Sequence, residues 1–464
     1  MAECKSLELH IAMFPWFATG HMTPFLHLSN EIAKRGHKIT FILPKKAQIQ
    51  LQHLNLHPNF ITFHPLTIPH VDGLPLGAET ASDISISLVH LLAIAMDRTR
   101  EQVENIFRAK TPDMVFYDNA HWIPEITKQL GIKSICYNVV SAASLAIAVV
   151  PTRNVPKDRA ITKEELKQLP IGYPSSTIVL RSHEVDSLSF ISLPFGDGIT
   201  FYDRITTAMK ESDVISIRTC QEMEGQLCDY VGNQFGKSVL LTGPVLPEPA
   251  KSPSKGIWAT WLDGFEPGSM VFCAFGSQII LKRKQFQELL LGFELIGLPF
   301  LIALKPPMEC ATVEEALPNG FKERVKERGR VLGDWVEQPL ILSHPSVGCF
   351  VSHCGFGSMW ESLMSNCQIV LVPHLGDQIL NTRLLVEEMK VAVEVEREDS
   401  GWFSRKSLSK AIKSVMDKDN EVGIMVKKNH AKWKEILAKP DFMSGYMDKF
   451  VQNLQDLVLV NKKA

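Results

Sequence analysis

Residues 335–378 read WVEQPLILSHPSVGCFVSHCGFGSMWESLMSNCQIVLVPHLGDQ. Two apolar runs stand out, Val347 to Val351 (broken only by Gly348) and Ile369 to Val372. Each has the length and composition of a buried strand. Between them, His353-Cys354-Gly355-Phe356-Gly357-Ser358 supplies the small residues of a tight turn and the start of a helix. Glu361 stands three residues past Ser358, and Asp377-Gln378 closes the stretch. Strand, glycine turn, helix and strand form the repeating unit of a parallel sheet. A helix N-terminus behind such a turn has unbonded N–H groups and the positive end of a dipole, which suits a phosphate. The stretch reads as a cradle for a phosphorylated ligand, with carboxylates placed for hydroxyl groups.

The same alternation extends to both sides. Downstream of residue 256 the expected strands are Ser269–Phe275, ending in Gly276-Ser277, then Phe300–Leu304, Gly348–Val351, Ile369–Leu371 and Val391–Val395, with a helix over Lys284–Ile296. Near the N-terminus, Leu9–Phe14 reads as a strand, Thr19-Gly20-His21 as a turn, Leu26–Lys34 as a helix and Lys38–Leu43 as a strand. Met114–Tyr117 and Ser134–Tyr137 are later strands. The fold class predicted is α/β, with two Rossmann-like parallel-sheet domains in tandem. Residues 247–255, PEPAKSPSK, are the expected linker, because their prolines disfavour both helix and central strand. The domains are then 1–246 and 256–442. The irregular, Pro- and Ser-rich region 153–198 reads as surface helices and loops.

The 464 residues allow two or three domains, and 45% hydrophobic residues allow a large core. A net charge of −2 gives no support for a nucleic-acid partner. Nine cysteines without CxxC spacing read as reduced, buried thiols. The opening MAECKSLELH leads directly into a strand, so no secretory signal is expected. The apolar stretches Leu91–Met96 and Ala142–Val150 are too short for stable membrane insertion. A cytoplasmic protein is expected, and the lack of heptads favours a monomer.

Ligands of open α/β sheets bind beyond the carboxyl ends of the strands. Two polar segments besides the cradle fall there: Thr19-Gly20-His21 and Asp118-Asn119-Ala120-His121. Histidine suits a general base near neutral pH, and a carboxylate behind it stabilises the imidazolium. Taken alone, His21 reads sooner as a helix N-terminal residue bonded to nearby backbone, and Asp118 reads as a helix N-cap. His10, His27, His37 and His121 read as structural or solvated. No clustered carboxylate motif calls for a metal.

The 335–378 stretch resembles the signature box of the plant UDP-sugar-dependent glycosyltransferases. It has that box's 44 positions, with tryptophan, first glutamine, histidine, Cys-Gly, serine, glutamate and closing Asp-Gln in register. The resemblance implies a GT-B fold, two Rossmann-like domains facing across a cleft, with a last helix, 443–460, packing back on the N-terminal domain. It implies that Trp335, beside Val336, stacks on uracil and that Gln338 and Glu361 hold the ribose. His353, Gly355, Gly357, Ser358 and Ser277 would meet the diphosphate, and Asp377 and Gln378 the transferred sugar. GHMTP matches the family's Gly-His-x-x-Pro turn, making His21 the base and Asp118 its partner. Phe17, Asn138 and Ser141 are candidates for contact with the acceptor. Two departures are visible: Phe356-Gly357 replaces the usual Trp-Asn, and Glu337 replaces a proline.

FPWFATGHMTPF, GLPLGAETASD, VFYDNAHWIPE, RTCQEMEGQLCDY, CAFGSQ, LPFLIALKPP and HCGFGS resemble one branch of the family. That branch adds a second sugar to an anthocyanidin or flavonol glucoside. The implied activity is inverting transfer from UDP-glucose, UDP-xylose or UDP-rhamnose to a small-molecule glycoside acceptor, with no bound cofactor. Alternatives are a UDP-rhamnose-dependent enzyme acting on a phenolic or terpenoid glycoside, and an aglycone O-glucosyltransferase. A non-catalytic UDP-sugar-binding protein is disfavoured by the intact His21 and Asp118. A nicotinamide oxidoreductase is disfavoured by the absence of GxGxxG after the first strand.

Overall fold

The computed structural model describes residues 7–246 and 257–461. The expected linker, 247–255, lies outside the described residues. The chain forms two compact units. One comprises Met1–Pro174, Leu188–Pro247 and Pro440–Ala464, and the other Ser175–Ser187 and Glu248–Lys439.

The first unit is built on seven parallel strands: β1 (His10–Phe14), β2 (Lys38–Pro44), β3 (Ile61–Leu66), β4 (Met114–Tyr117), β5 (Lys133–Asn138), β6 (Val214–Ile217) and β7 (Val239–Leu241). Their order is β3-β2-β1-β4-β5-β6-β7. Chain direction across the sheet therefore reverses between β1 and β4, the switch point where such sheets bind ligands. Strands β1, β4 and β6 are apolar and almost wholly buried, as helices on both faces require. Three of these seven strands were not expected. β3 carries Pro65, which is tolerated because β3 pairs with β2 alone at the edge. β6 and β7 are four and three residues long, too short to show a period.

The first helix runs from Thr19 to Ala33, so Thr19-Gly20-His21 is its opening turn, where a free turn was expected. Gly20 and Pro24 both disfavour helix, but burial of Met22, Phe25 and Leu26 outweighs that local preference. The Pro440–Asn461 helix presents Met447, Phe450, Leu454 and Val458, at helical spacing, to the core that holds Ile11, Met13 and Phe116. Arg35 Nε donates to Asp448 Oδ1 at 2.8 Å on its flank.

The second unit carries six parallel strands: β8 (Met270–Ala274), β9 (Phe300–Ala303), β10 (Gly329–Leu332), β11 (Val347–Ser352), β12 (Gln368–Leu371) and β13 (Ala392–Glu394). Their order is β10-β9-β8-β11-β12-β13, the dinucleotide-fold order with its switch between β8 and β11. Along β8, Val271 and Cys273 enter one core cluster while Met270, Phe272 and Ala274 enter another, so both faces are covered. Residues Ser175–Ser187 belong to this unit although they come from the first half of the sequence. Arg383, 2% exposed, pairs with Glu394 at 2.7 Å and with Glu184. A buried guanidinium needs such carboxylates, and Glu184 is 199 residues away in sequence.

Candidate active site

In the first unit the switch point brings together the ends of β1 and β4. His21 lies in the opening turn of the helix that follows β1, and Asp118 directly follows β4. His21 Nδ1 meets Asp118 Oδ2 at 2.6 Å. With the Nδ1 proton donated to this carboxylate, Nε2 is the ring's basic nitrogen. The His21 side chain is 26% exposed and that of Asp118 only 6%, so the imidazole is reachable and the carboxylate is sheltered. The second carboxylate oxygen, Oδ1, accepts from the backbone N–H of Trp16 at 2.7 Å and of Asn119 at 2.6 Å. Those two holders were missed by sequence reasoning, because a backbone N–H leaves no residue signature.

In the second unit the corresponding switch point joins the ends of β8 and β11. Ser277, half-exposed, follows Gly276, whose φ of +67° is the left-handed turn glycine adopts freely. His353 directly follows β11, and Cys354 takes a left-handed φ of +61° to turn the chain into the Phe356–Met364 helix. Gly355 is the N-cap, and no side chain caps the helix. The opening turn therefore offers backbone N–H groups beside the exposed Gly357 and half-exposed Ser358. His353 is buried, and burial pushes its imidazole down to about 4, so it is neutral at pH 7. Its Nδ1 has no hydrogen-bond partner. An unpaired buried nitrogen beside an uncapped helix end fits an anionic oxygen as its missing partner.

Gln338 Nε2 donates to Ser358 Oγ at 3.0 Å and to Glu361 Oε2 at 2.5 Å, so three expected site residues meet directly. Trp335 lies three residues before Gln338, ahead of the Gln338–Ser343 helix, and is 79% exposed. A tryptophan this open has little to do in the core and offers a flat stacking face. Asp377 is half-exposed in the opening turn of the Gly376–Arg383 helix. Gln378 is 5% exposed, and its Oε1 accepts from the N–H groups of His374 and Leu375 at 2.9 and 3.1 Å. That carbonyl end holds its own loop.

Four other expected contacts are engaged in packing. Val336 sits in the core with Ile341 and Leu342. Phe17 is fully buried against Phe14. Ser141 is fully buried and caps the Ala142–Ala148 helix through Ser144 N at 3.3 Å. Asn138 donates to the carbonyls of Cys136 and Ser216, both at 3.3 Å. Packing takes up Val336 and Phe17, and backbone hydrogen bonds take up Ser141 and Asn138. Among the described residues, no group of three or more His, Cys, Asp or Glu side chains could hold a metal ion, and no helix is long and apolar enough to cross a membrane. The eight described cysteines are free thiols.

Solved structures share this architecture. Arabidopsis thaliana UGT89C1 complexed with UDP-L-rhamnose matches with a TM-score of 0.77 at 23% identity, covering 97% of this chain and 100% of that one. Glycyrrhiza uralensis UGT73P12, complexed with glycyrrhetinic acid 3-O-monoglucuronide, matches with a TM-score of 0.77 at 20% identity over 98% of both chains. The fold is thus GT-B, built from two Rossmann-like units. Residues 259–432 match the family described as UDP-glucoronosyl and UDP-glucosyl transferase. UDP-glycosyltransferase 79B6 of Arabidopsis thaliana is 60% identical over 452 residues, 97% of this chain and 98% of the relative. The anthocyanidin 3-O-glucoside 2'''-O-xylosyltransferase of the same plant is 59% identical over 462 residues, 98% of each. The chain belongs to the UDP-glycosyltransferase family and is a glycosyltransferase.

Proposed function

We propose that this enzyme extends a glycoside: it moves a sugar from a UDP-sugar to a hydroxyl of a sugar already attached to a flavonoid, with inversion at the anomeric carbon. The contact that carries the reading is His21 Nδ1 to Asp118 Oδ2 at 2.6 Å, at the switch point of the first unit. His21 Nε2 takes the proton of the acceptor hydroxyl while Asp118 stabilises the imidazolium. The acceptor oxygen then forms its bond to the anomeric carbon from the face opposite UDP, as the bond to the diphosphate oxygen breaks. UDP leaves with the electron pair.

On the second unit, Trp335 stacks on uracil, and Gln338 with Glu361 holds the ribose. Ser277, His353, Ser358 and the N–H groups around Gly357 take the diphosphate and the charge that develops on it. Asp377 and Gln378 read the sugar hydroxyls. The name of the 59%-identical relative supports a flavonoid 3-O-glucoside acceptor and UDP-xylose as the first donor to try. Free thiols in the described residues support a reducing, cytosolic setting.

The test offers UDP-xylose, UDP-glucose and UDP-rhamnose against flavonoid 3-O-glucosides and their aglycones. Mass identifies the product, and NMR reads linkage and anomeric configuration. A product bearing the new sugar on the aglycone, or one retaining the donor's configuration, overturns the reading. His21→Ala lowers kcat by about 10²–10⁴ and leaves UDP affinity intact; lost UDP binding would show that His21 belongs elsewhere.

A further inference from the structure

Next to the segment that follows β4 lies a buried ion pair with no place in the mechanism above. Arg204, on the Phe201–Glu211 helix, has no exposed surface. Its guanidinium faces Asp97, the last residue of the Val89–Asp97 helix: Nη1 meets Oδ1 at 3.0 Å, and Nη2 pairs with Oδ2. The remaining donors are aimed at backbone. Nη1 also donates to the carbonyl of Asn119 at 2.9 Å, and Nε to the carbonyl of Phe195 at 2.7 Å. Asp97 Oδ1 in turn accepts from Trp122 Nε1 at 2.9 Å. The pair therefore holds Asn119 and Trp122, in the segment that directly follows Asp118.

A second connection reaches the same carboxylate. The Arg204 guanidinium lies 5.7 Å over the Phe195 ring, and Phe195 packs on Trp16 at 5.3 Å. Trp16 supplies the other N–H to Asp118 Oδ1. Both residues whose N–H groups orient Asp118 thus connect to Arg204, Asn119 through its carbonyl and Trp16 through the Phe195 ring. Space for the guanidinium is reserved by Gly196, whose φ is +118°; a Cβ there would stand 2.1 Å from Arg204 Nη2.

Burying a fully enclosed guanidinium is costly, and an apolar pair of similar volume would fill the same space at no electrostatic cost. What an apolar pair would not do is fix the Asn119 carbonyl in direction. We infer that Asp97 and Arg204 are positioning residues for the transfer reaction, acting through Asp118 to hold the carboxylate in line with His21 Nδ1. The inference rests on the reading of His21 and Asp118 as base and partner.

The test uses the full-length enzyme with its UDP-sugar and acceptor. Arg204→Lys keeps the charge and removes the planar fork. Expected is a fall in kcat of about tenfold or more, a part of the base's about 10²–10⁴, with KM for the UDP-sugar unchanged. The proton NMR signal of the short His21–Asp118 hydrogen bond, identified by its loss in His21→Ala, shifts upfield or broadens. A folded Arg204→Lys enzyme with wild-type kcat, or with that signal unmoved, overturns the inference. If Arg204→Lys does not fold, Asp97→Asn is read by the same two measurements. Full activity in His21→Ala would instead sink the base assignment itself, whatever Arg204→Lys does.

Discussion

Two alanine substitutions, two residues apart, should behave oppositely. At Gly355 an added Cβ would stand 2.5 Å from His353 Nε2, 3.0 Å from Cε1 and 3.3 Å from Cδ2. The ring has no room to retreat. It is 8% exposed, and a Cβ at Gly276 would lie 2.9 Å from the same nitrogen, so backbone crowds it on that side too. Overpacking of this kind costs roughly 1–3 kcal/mol. Expressed in binding, it raises the Kd for UDP roughly 5- to 150-fold; expressed in folding, it lowers Tm by roughly 2–4 °C per kcal/mol. At Gly357 a Cβ meets nothing within 4 Å, and the backbone is not left-handed. Gly357→Ala should keep UDP binding near wild type and add a fraction of about 1 kcal/mol in helix propensity. Calorimetric titration with UDP and a thermal melt of each variant decide the matter. Kd and Tm values that both match between the two variants, or a greater loss in Gly357→Ala, would refute the idea that Gly355 is there to seat His353.

Trp335→Ala should leave the folding stability within about 0.5 kcal/mol of wild type, because the residue is 79% exposed. The same change should weaken UDP by about 1–3 kcal/mol, the range for an aromatic platform under a base; unchanged affinity in titration would remove Trp335 from the site. Stability should fall on acidification. The imidazoles of His353 and His27 titrate near 6.5 when unfolded, and burial lowers them to about 4 and about 3 in the folded chain. Between those values the unfolded chain holds more protons, so stability present above pH 6.5 is lost as pH falls, by up to about 1.4 kcal/mol per unit for each histidine. Melts from pH 7.5 to 4.5 check this, and a flat Tm would contradict the burial of both rings.

Much of the fold was legible because its signals are local. The apolar runs at Met114–Tyr117 and Val347–Val351 and the glycine turns behind β8 and β11 betray themselves within a few residues. The two sheets could be foreseen from such pieces; the direct meeting of Gln338, Ser358 and Glu361 was not foreseen, although all three lie in one short stretch. The first helix was mis-bounded for the same reason: Gly20 and Pro24 argue locally for a turn, and only the buried Met22 and Phe25 overrule them. The burial of Phe17 and Ser141 at strand and helix ends was likewise invisible.

By itself the sequence determined an α/β chain of two parallel sheets, with a histidine, an aspartate and a phosphate-fitting turn at strand ends, because periodicity and turn chemistry act between near neighbours. Tertiary structure alone decided that His21 and Asp118, 97 residues apart, lie 2.6 Å from each other. It alone decided that Ser175–Ser187 joins the second unit and that Arg204 meets the Asn119 carbonyl. Those outcomes depend on which buried charge finds which partner, and that is settled by how distant helices pack, not by the spacing of any motif.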